Sequence, residues 1–417
     1  MPPRLAATSI VQRLRTAGFT AFFAGGCVRD ELLSRTPSDY DVATDAVPEQ
    51  ITKLFDHTAE VGAHFGVVLV KVHREVIEVA TFRADGTYTD ARRPDSVRFS
   101  TPDEDAHRRD FTVNALFLDP HGTVKSLPGN PTLHATPAGT IIDYVQGLQD
   151  LESRTLRAVG DAHQRLAEDH LRALRAVRLA AKLSFSIHPT TAAAIRAHAS
   201  ELRGISRERI GDELRAMMDH PTRATATALL ASLALEAPVF RDTLAAASTP
   251  LLAQLPIATP FGVCLATWQL DRGLPLEAVA IRQSAMSLRD ALLLSNRELS
   301  DFEHTLQGVL AFRQQWLTAG TAARKRLLAS PFALARTILP LLDPAFATQL
   351  ESDASALASD GIGIEPAMIL TGDVLVSWGY KPSPTFKTVL TAVYDAQLEG
   401  RVKNLEQARE LVTQLSV

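Results

Sequence analysis

Two cysteines, Cys27 and Cys264, are all that 417 residues contain. They are too few and too far apart for a disulfide framework or for the close spacing of a zinc site. That usage fits a reducing compartment. No stretch approaches the roughly 18 consecutive apolar residues that a membrane-spanning helix needs. The opening segment, MPPRLAATSIVQRLRTAGF, has neither a long apolar core nor a small-residue cleavage site. It reads instead as an amphipathic helix with Leu5, Ile10, Val11 and Leu14 on one side. Glycine and proline are not in excess, and no low-complexity tract is present. Charge of one sign is also missing: 43 Lys and Arg against 47 Asp and Glu leave a net charge of −4. Any nucleic-acid role therefore needs a local basic face on a mildly acidic body. The expectation is a cytoplasmic protein with no membrane association and no obligate protein partner.

Hydrophobic residues make up 46% of the chain and charged residues 22%, ordinary values for a globular protein, and the length suggests more than one domain. Up to about residue 150 short strand patterns mix with short helices. Thr20 to Ala24, Tyr40 to Thr44, Val67 to Val72, Val76 to Phe82, Thr112 to Leu118 and Thr140 to Asp143 read as strands. The third and fourth of these, separated by His73-Arg74-Glu75, suggest a hairpin. Helices are expected at Val28 to Leu33 and at Pro48 to Leu54, the latter with proline in its first turn. After about Leu151 apolar residues recur at helical spacing almost to the end, punctuated by prolines from Pro221 to Pro366. Ser352 to Gly363 reads as a linker. The fold class is α+β, a small mixed sheet followed by an all-helical array.

The chemistry concentrates in Gly25-Gly26-Cys27-Val28-Arg29-Asp30 and Asp39-Tyr40-Asp41. Two glycines closing a strand let the backbone approach a ligand without a Cβ in the way. A helix starting there aims free N–H groups at an anion, and Arg29 adds a charged fork for phosphate. Asp39 and Asp41, two apart on a strand, share a face. Converging carboxylates repel unless a divalent cation sits between them, and Mg²⁺ prefers such oxygen ligands. Two such ions activate an attacking hydroxyl and stabilise departing pyrophosphate. Glu78, in Val76-Ile77-Glu78-Val79-Ala80, is the candidate third carboxylate.

The stretch GGCVRDELLSRTPSDYDVATDAVPEQI resembles the signature of the class II tRNA nucleotidyltransferases and poly(A) polymerases of the polymerase-β superfamily. The likeness continues in order over about residues 15 to 215. EVATFRADGTYTDARRPDSVRF (Glu78 to Phe99) is similar to the family's flexible loop, and EDAHRRDFTVNAL (Glu104 to Leu116) to its RRD motif. EDHLRALRAVRLAA (Glu168 to Ala181) resembles the nucleotide-selecting EDxxR helix, and ISRERIGDEL (Ile205 to Leu214) the motif that follows it. The resemblance implies a catalytic head at 1–150, a nucleotide-selecting neck at 151–218, a helical body at 219–359 and a tRNA-binding tail at 360–417. It implies that Asp39 and Asp41 bind two Mg²⁺ ions, and that Gly26 and Arg29 contact the triphosphate. It places Arg109 on the incoming nucleotide and Asp110 near its ribose. Asp169 and Arg172 would read the base edge, with Arg175 and Arg178 helping, and Glu208 and Arg209 would buttress the pocket. Arg83, Asp85 and Arg92 belong to the loop that would reshape the pocket between CTP and ATP.

The residues of the selector segment agree with that assignment. Asp169, Arg172, Arg175 and Arg178 fall at three-residue steps along one side of an expected helix, while Leu171, Leu174, Val177 and Leu179 face a core. A carboxylate accepts and a guanidinium donates, so one of each matches the edge of cytosine or adenine. The implied activity is template-independent addition of nucleotides from CTP and ATP to the 3′ end of tRNA. The full-length loop separates the chain from CC-adding specialists. Val61 to Val72 departs from the basic GRRFxLxHV-like segment of bacterial poly(A) polymerases. No His-Asp dipeptide is present, so the hydrolase domain fused to some relatives is not expected. Full CCA addition and addition of the terminal A alone both stay open. An inactive RNA-binding homologue is disfavoured by the intact Asp39/Asp41 pair. A nucleotidyltransferase acting on a small acceptor is disfavoured by the EDxxR segment and the long helical C-terminus.

Overall fold

The computed structural model of the chain describes residues 1–60, 66–86, 97–244, 246 and 248–415. Two compact units result, Met1–Glu213 with Leu229–Val239, and Leu214–Ala228 with Phe240–Val417. Helix α1 (Pro3–Thr16) leads into strand β1 (Ala21–Ala24), helix α2 (Gly26–Leu32), strand β2 (Asp41–Thr44) and helix α3 (Pro48–Leu54). Strands β3 (Thr58–Glu60), β4 (Val67–Val72), β5 (Glu75–Thr81), β6 (Arg83–Asp85) and β7 (Val97–Phe99) follow, then helix α4 (Pro102–Arg108). Strands β8 (Phe117–Asp119), β9 (Thr132–Thr136) and β10 (Gly139–Asp143) complete the sheet region before helix α5 (Gly147–Glu152) and strand β11 (Thr155–Leu156). Helices α6 (Ala162–Glu168) and α7 (Arg172–Leu183), strand β12 (Ser186–Ile187), and helices α8 (Pro189–Ala197) and α9 (Arg207–Met218) come next. From there the described residues are helical and connecting, as the α+β reading expects.

One eight-stranded sheet runs in the order β3-β4-β5-β2-β1-β8-β10-β9. Every neighbouring pair is antiparallel except β2 and β5, which run parallel with Asp41 beside Glu78. Alternation along the strands sends successive side chains to opposite faces. Phe23, Val42, Val68, Val70 and Val79 join Ile10, Val11 and Leu14 of α1 on one face. Phe22, Ala43, Phe82, Phe117 and Ile142 pack with Ala106 of α4 on the other. Both faces are covered, so the ends of β1 and β2 are held on a rigid floor.

Several expectations are corrected. Leu5 is 52% exposed, and Ala6 and Ala7 take the buried face of α1; at 100° per residue Leu5 lies opposite Leu14. Thr112–Asn114 is a 3₁₀ turn, not the start of a strand. The Thr112 hydroxyl donates to Asp150 at 2.7 Å and its N–H to the Arg157 carbonyl, which pulls the segment out of the sheet. Only Phe117–Asp119 of that run pairs with β1. The selector segment is two helices: α6 ends at Glu168, and Asp169 is extended, its carboxylate accepting the Leu171 N–H at 3.1 Å. The first half of the supposed linker lies in a helix, Pro344–Ala358, whose Asp353 accepts the Trp316 indole N–H at 3.0 Å.

The second unit is held by a buried cation: Lys325 donates to the Leu398 carbonyl at 3.0 Å and meets Asp360 at 2.6 Å. A separate apolar cluster around Leu375, Val389, Val393 and Val412 supports its C-terminal helices.

At the β9–β10 hairpin, Gly139 has φ +138°, and a Cβ there would lie 2.0 Å from the Asp119 carbonyl oxygen of β8. Gly139→Ala is expected to destabilise the protein by about 1–3 kcal/mol from backbone strain, before the clash is counted. Denaturant titration reads this as a lower midpoint at unchanged slope. An unchanged midpoint would show that the hairpin does not press on β8 as described.

Candidate active site

A cavity of about 580 Å³ opens in the first unit, lined by the β1–α2 turn, the segment leading into β2, the end of α4 and the α7 face. The sequence Ala-Phe-Phe-Ala-Gly-Gly ends a buried strand in a turn that needs glycine at its first position. Gly25 has φ +75°, and a Cβ there would approach Arg109 Nη1 to 3.1 Å. At Gly26 a Cβ would meet Arg29 only at 3.6 Å, so the steric demand falls on Gly25. Helix α2 then turns Arg29 back towards the cavity at 5% exposure. Its Nε donates to Asp30 at 2.8 Å and its Nη1 to the Asn114 side chain at 2.6 Å. Cys27, inside the same motif, is buried and donates to the Ala24 carbonyl; burial pushes its thiol up to about 12.

Asp39 and Asp41 both line the cavity. Strand β2 begins only at Asp41, so Asp39 stands in the extended lead-in and is exposed. Glu78 lies beside Asp41 in the parallel register, exposed and outside the cavity lining. Burial, then the charges of Glu78 and Asp39, raise the Asp41 carboxyl to about 6. Among the described residues no three His, Cys, Asp or Glu side chains are grouped so as to hold a metal ion by themselves. Mg²⁺, however, is ordinarily held by one or two carboxylates together with substrate phosphates. The repulsion felt at Asp41 is the electrostatic demand that such an ion meets.

The basic wall is built from Arg29, Arg108, Arg109, Arg172, Arg175, Arg178, Arg209 and Lys182. Arg109 donates twice to Asp105, at 3.1 and 2.9 Å. Arg175 donates Nε and Nη2 to Asp110 at 3.0 and 2.7 Å, and Arg175 holds that carboxyl below its ordinary value against the cost of burial. Arg178 pairs with Glu213 at 2.6 Å, Arg209 with Asp169 at 2.6 Å, and Arg172 with Glu168.

Of the residues singled out in the sequence, the cavity gathers Gly26, Arg29, Asp39, Asp41, Arg109, Asp110, Asp169, Arg172, Arg175, Arg178 and Arg209. Glu208 is exposed on α9 and does not line it; Glu213, further along that helix, makes the contact to Arg178. Arg83 and Asp85 form an ion pair at 3.2 Å in β6, outside the lining, and Arg92 lies outside the described residues. The sequence reading passed over Asp105, Asn114, Glu213 and Lys182. Asp105 carries a signal, an acid three and four residues before Arg108 and Arg109 on a helix. Glu213 carries none, since its partner Arg178 is remote in the chain; Asn114 accepts from the remote Arg29 and also donates to Asp110, four residues earlier, at 3.3 Å.

The folded-state pKa of Asp110 lies below the ordinary 3.8. Its pairing therefore contributes stability that is full above that value and is lost as the pH falls through the folded-state value. Asp110→Asn is expected to lower the melting temperature near neutral pH, and the gap to the native protein should close as the pH drops below about 4. Melting curves from pH 7 downward check this; a gap that stays constant would sink the assigned linkage.

Comparison with known proteins follows the same residues. Residues 21–157 match the family described as the poly A polymerase head domain, and residues 184–246 match the probable RNA and SrmB-binding site of polymerase A. A CCA-adding enzyme of Geobacillus thermodenitrificans is 33% identical over 407 residues, covering 97% of this chain and 95% of that one. One from Lacticaseibacillus paracasei is 32% identical, covering 100% and 97%. The crystal structure of the Bacillus stearothermophilus CCA-adding enzyme in complex with CTP superposes with a TM-score of 0.76 at 27% identity, covering 100% of this chain and 98% of the other. A full-length match of this kind, laid over the motifs and the cavity they build, makes the chain a member of the class II tRNA nucleotidyltransferases.

Proposed function

We propose that the chain builds and repairs the CCA end of tRNA, adding C, C and A in turn without a nucleic-acid template, from CTP and ATP. The observation that carries this reading is the shared cavity, in which two carboxylates, Asp39 and Asp41, and an array of arginines face the same space. Its near-full-length relatives bear the name CCA-adding enzyme. Enzymes of this family are in general metal-dependent. Asp39 and Asp41 are the residues that would hold Mg²⁺, as a two-metal site, with Glu78 as the third carboxylate. When bound, the metal lowers the pKa of the attacking hydroxyl and neutralises charge on the triphosphate.

The remaining work belongs to side chains. The 3′-hydroxyl of the RNA attacks the α-phosphate in line, and pyrophosphate leaves. Gly26 and Arg29 cradle the triphosphate, Arg109 holds the incoming nucleotide, and Asp110 stands by the ribose with Arg175 locked to it. Asp169 accepts from the exocyclic amine of cytosine or adenine while Arg172 donates to the ring nitrogen. The oxygens of Asp169 keep acceptor capacity beyond the Arg209 and Leu171 contacts. Guanine and uracil present other patterns and would leave buried groups unpaired. Arg178 steadies the base pocket, Glu208 and Arg209 support it, and the segment bearing Arg83, Asp85 and Arg92 adapts it between CTP and ATP. In this reading residues 1–150 form the head, 151–218 the neck, and 219–359 and 360–417 the body and tail that hold tRNA. Among the described residues no helix is long and apolar enough to cross a membrane. In this reading the enzyme works in the cytoplasm, alongside its substrates tRNA and nucleoside triphosphates.

Asp41→Ala is expected to abolish nucleotide addition, a loss of 10³-fold or more on the order of electrostatic catalysis, with fold and tRNA binding retained. Retained turnover would remove Asp41 from the metal site. Labelled tRNA ending at the discriminator base, given CTP and ATP, should be extended to CCA. Addition of a single A, only to tRNA already ending in CC, would make the enzyme an A-adding specialist.

A further inference from the structure

Asp105 is 1% exposed and sits in the last turn of α4. Both of its oxygens are committed. Oδ1 accepts Nε and Nη2 of Arg108 at 2.9 and 2.6 Å, together with the Arg83 backbone N–H at 3.3 Å. Oδ2 accepts Nε and Nη2 of Arg109 at 3.1 and 2.9 Å. Helix α4 ends at Arg108, and Arg109 is already extended at ψ 163°. Two consecutive arginines therefore leave the helix in different directions, and one carboxylate clasps both. Each of them lines the cavity.

The other contacts of Arg109 are softer. Its Nη1 donates to the Asn114 carbonyl at 3.2 Å, and its guanidinium lies 5.2 Å from the centre of the Phe117 ring. Neither orients the guanidinium as strongly as two charge-assisted N–H donors converging on one buried carboxylate oxygen. Arg108 also donates Nε to the Arg83 carbonyl at 3.1 Å. Arg83 opens β6, which pairs with β7 in the register Arg83↔Phe99, Ala84↔Arg98 and Asp85↔Val97. The first residue of that hairpin stem is thus bonded through its N–H to Asp105 and through its carbonyl to Arg108.

We propose that Asp105 is the positioning residue of the nucleotide site: its single carboxylate aims Arg109 at the incoming nucleotide and ties the β6–β7 stem to the same arginine pair. The proposal rests on the reading of Arg109 as a nucleotide-binding residue. The buried acids Asp119 and Asp143 lie outside the cavity lining and accept mainly backbone N–H groups of their own turns. Asp105 divides its oxygens between two cavity arginines and a backbone amide of a third element. Removing the charge leaves the length of Arg109 unaltered but frees its rotamers, and misplacements of about 1 Å at such a site cost up to about 10²-fold.

The test compares Asp105→Asn, Arg109→Ala and the double variant, with steady-state kinetics for CTP and for ATP on tRNAs ending at the discriminator base and in CC. Asp105→Asn is expected to raise the KM for both nucleotides by about tenfold or more, while the KM for tRNA stays within about twofold. In the Arg109→Ala background the same change should add little, because the two act through one guanidinium. A nucleotide KM unaltered in Asp105→Asn but raised in Arg109→Ala overturns the proposal and leaves the reading of the cavity standing. An unaltered KM in Arg109→Ala overturns both. Full multiplication of the two effects shows that Asp105 does not work through Arg109 and also overturns it. Asp105→Glu keeps the charge one methylene further out and serves if the Asn variant does not fold; it too should raise the nucleotide KM, and an unaltered value counts against the proposal.

Discussion

Guanidinium groups crowded around one cavity repel one another, and in this protein a carboxylate stands against each. Asp30 faces Arg29, Asp105 faces Arg108 and Arg109, Glu168 faces Arg172, Asp110 faces Arg175, Glu213 faces Arg178, and Asp169 faces Arg209. The rest of the site depends on this pairing. It allows a mildly acidic chain to keep a concentrated basic wall in one cavity. It also holds long side chains near the geometry in which a polyanion meets them, so less rotamer freedom is lost on binding.

Three of these pairings, Arg175–Asp110, Arg178–Glu213 and Arg209–Asp169, join different elements. Asp110 follows α4 while Arg175 is on α7, and Asp169 precedes α7 while Arg209 is on α9. Each of these three bridges fixes one segment to another, and the eight-stranded sheet beneath, packed on both faces, supplies the floor. The acidic pole is built differently. Asp39, Asp41 and Glu78 approach one another with repulsion as the consequence, and the raised carboxyl of Asp41 records it. Paired charges on one wall and unbalanced charges on the other give the cavity its direction: its electrostatics favour an anion towards the arginines and a cation towards the aspartates.

Much of this was legible in the sequence because the chemistry is local there. Gly25-Gly26, Arg29 and Asp39-Tyr40-Asp41 lie within one short stretch, and strand and turn signals around them are strong. The hairpin of β4 and β5 and helix α3 follow from β-branched runs and from Pro48. What was missed depends on tertiary partners. Thr112 has strand propensity, but Asp150 and Arg157 draw it into a turn. Asp169 fits a helical spacing, but its own side chain caps the next turn and leaves it between helices. The contacts of Glu213 to Arg178 and of Asn114 to Arg29 are invisible in any local window because they reach across the fold.

Cys27 lies within two residues of the glycine turn, and its setting has a chemical consequence. A thiol must ionise to react with disulfides, peroxides or alkylating agents. Buried on the apolar side of α2, with its proton directed at the Ala24 carbonyl and its acidity pushed to about 12, Cys27 holds almost no thiolate at neutral pH. The cavity therefore carries a sulfur atom next to its glycine turn without inheriting redox sensitivity from it. Oxidants that silence enzymes through exposed active-site thiols find no handle at this position.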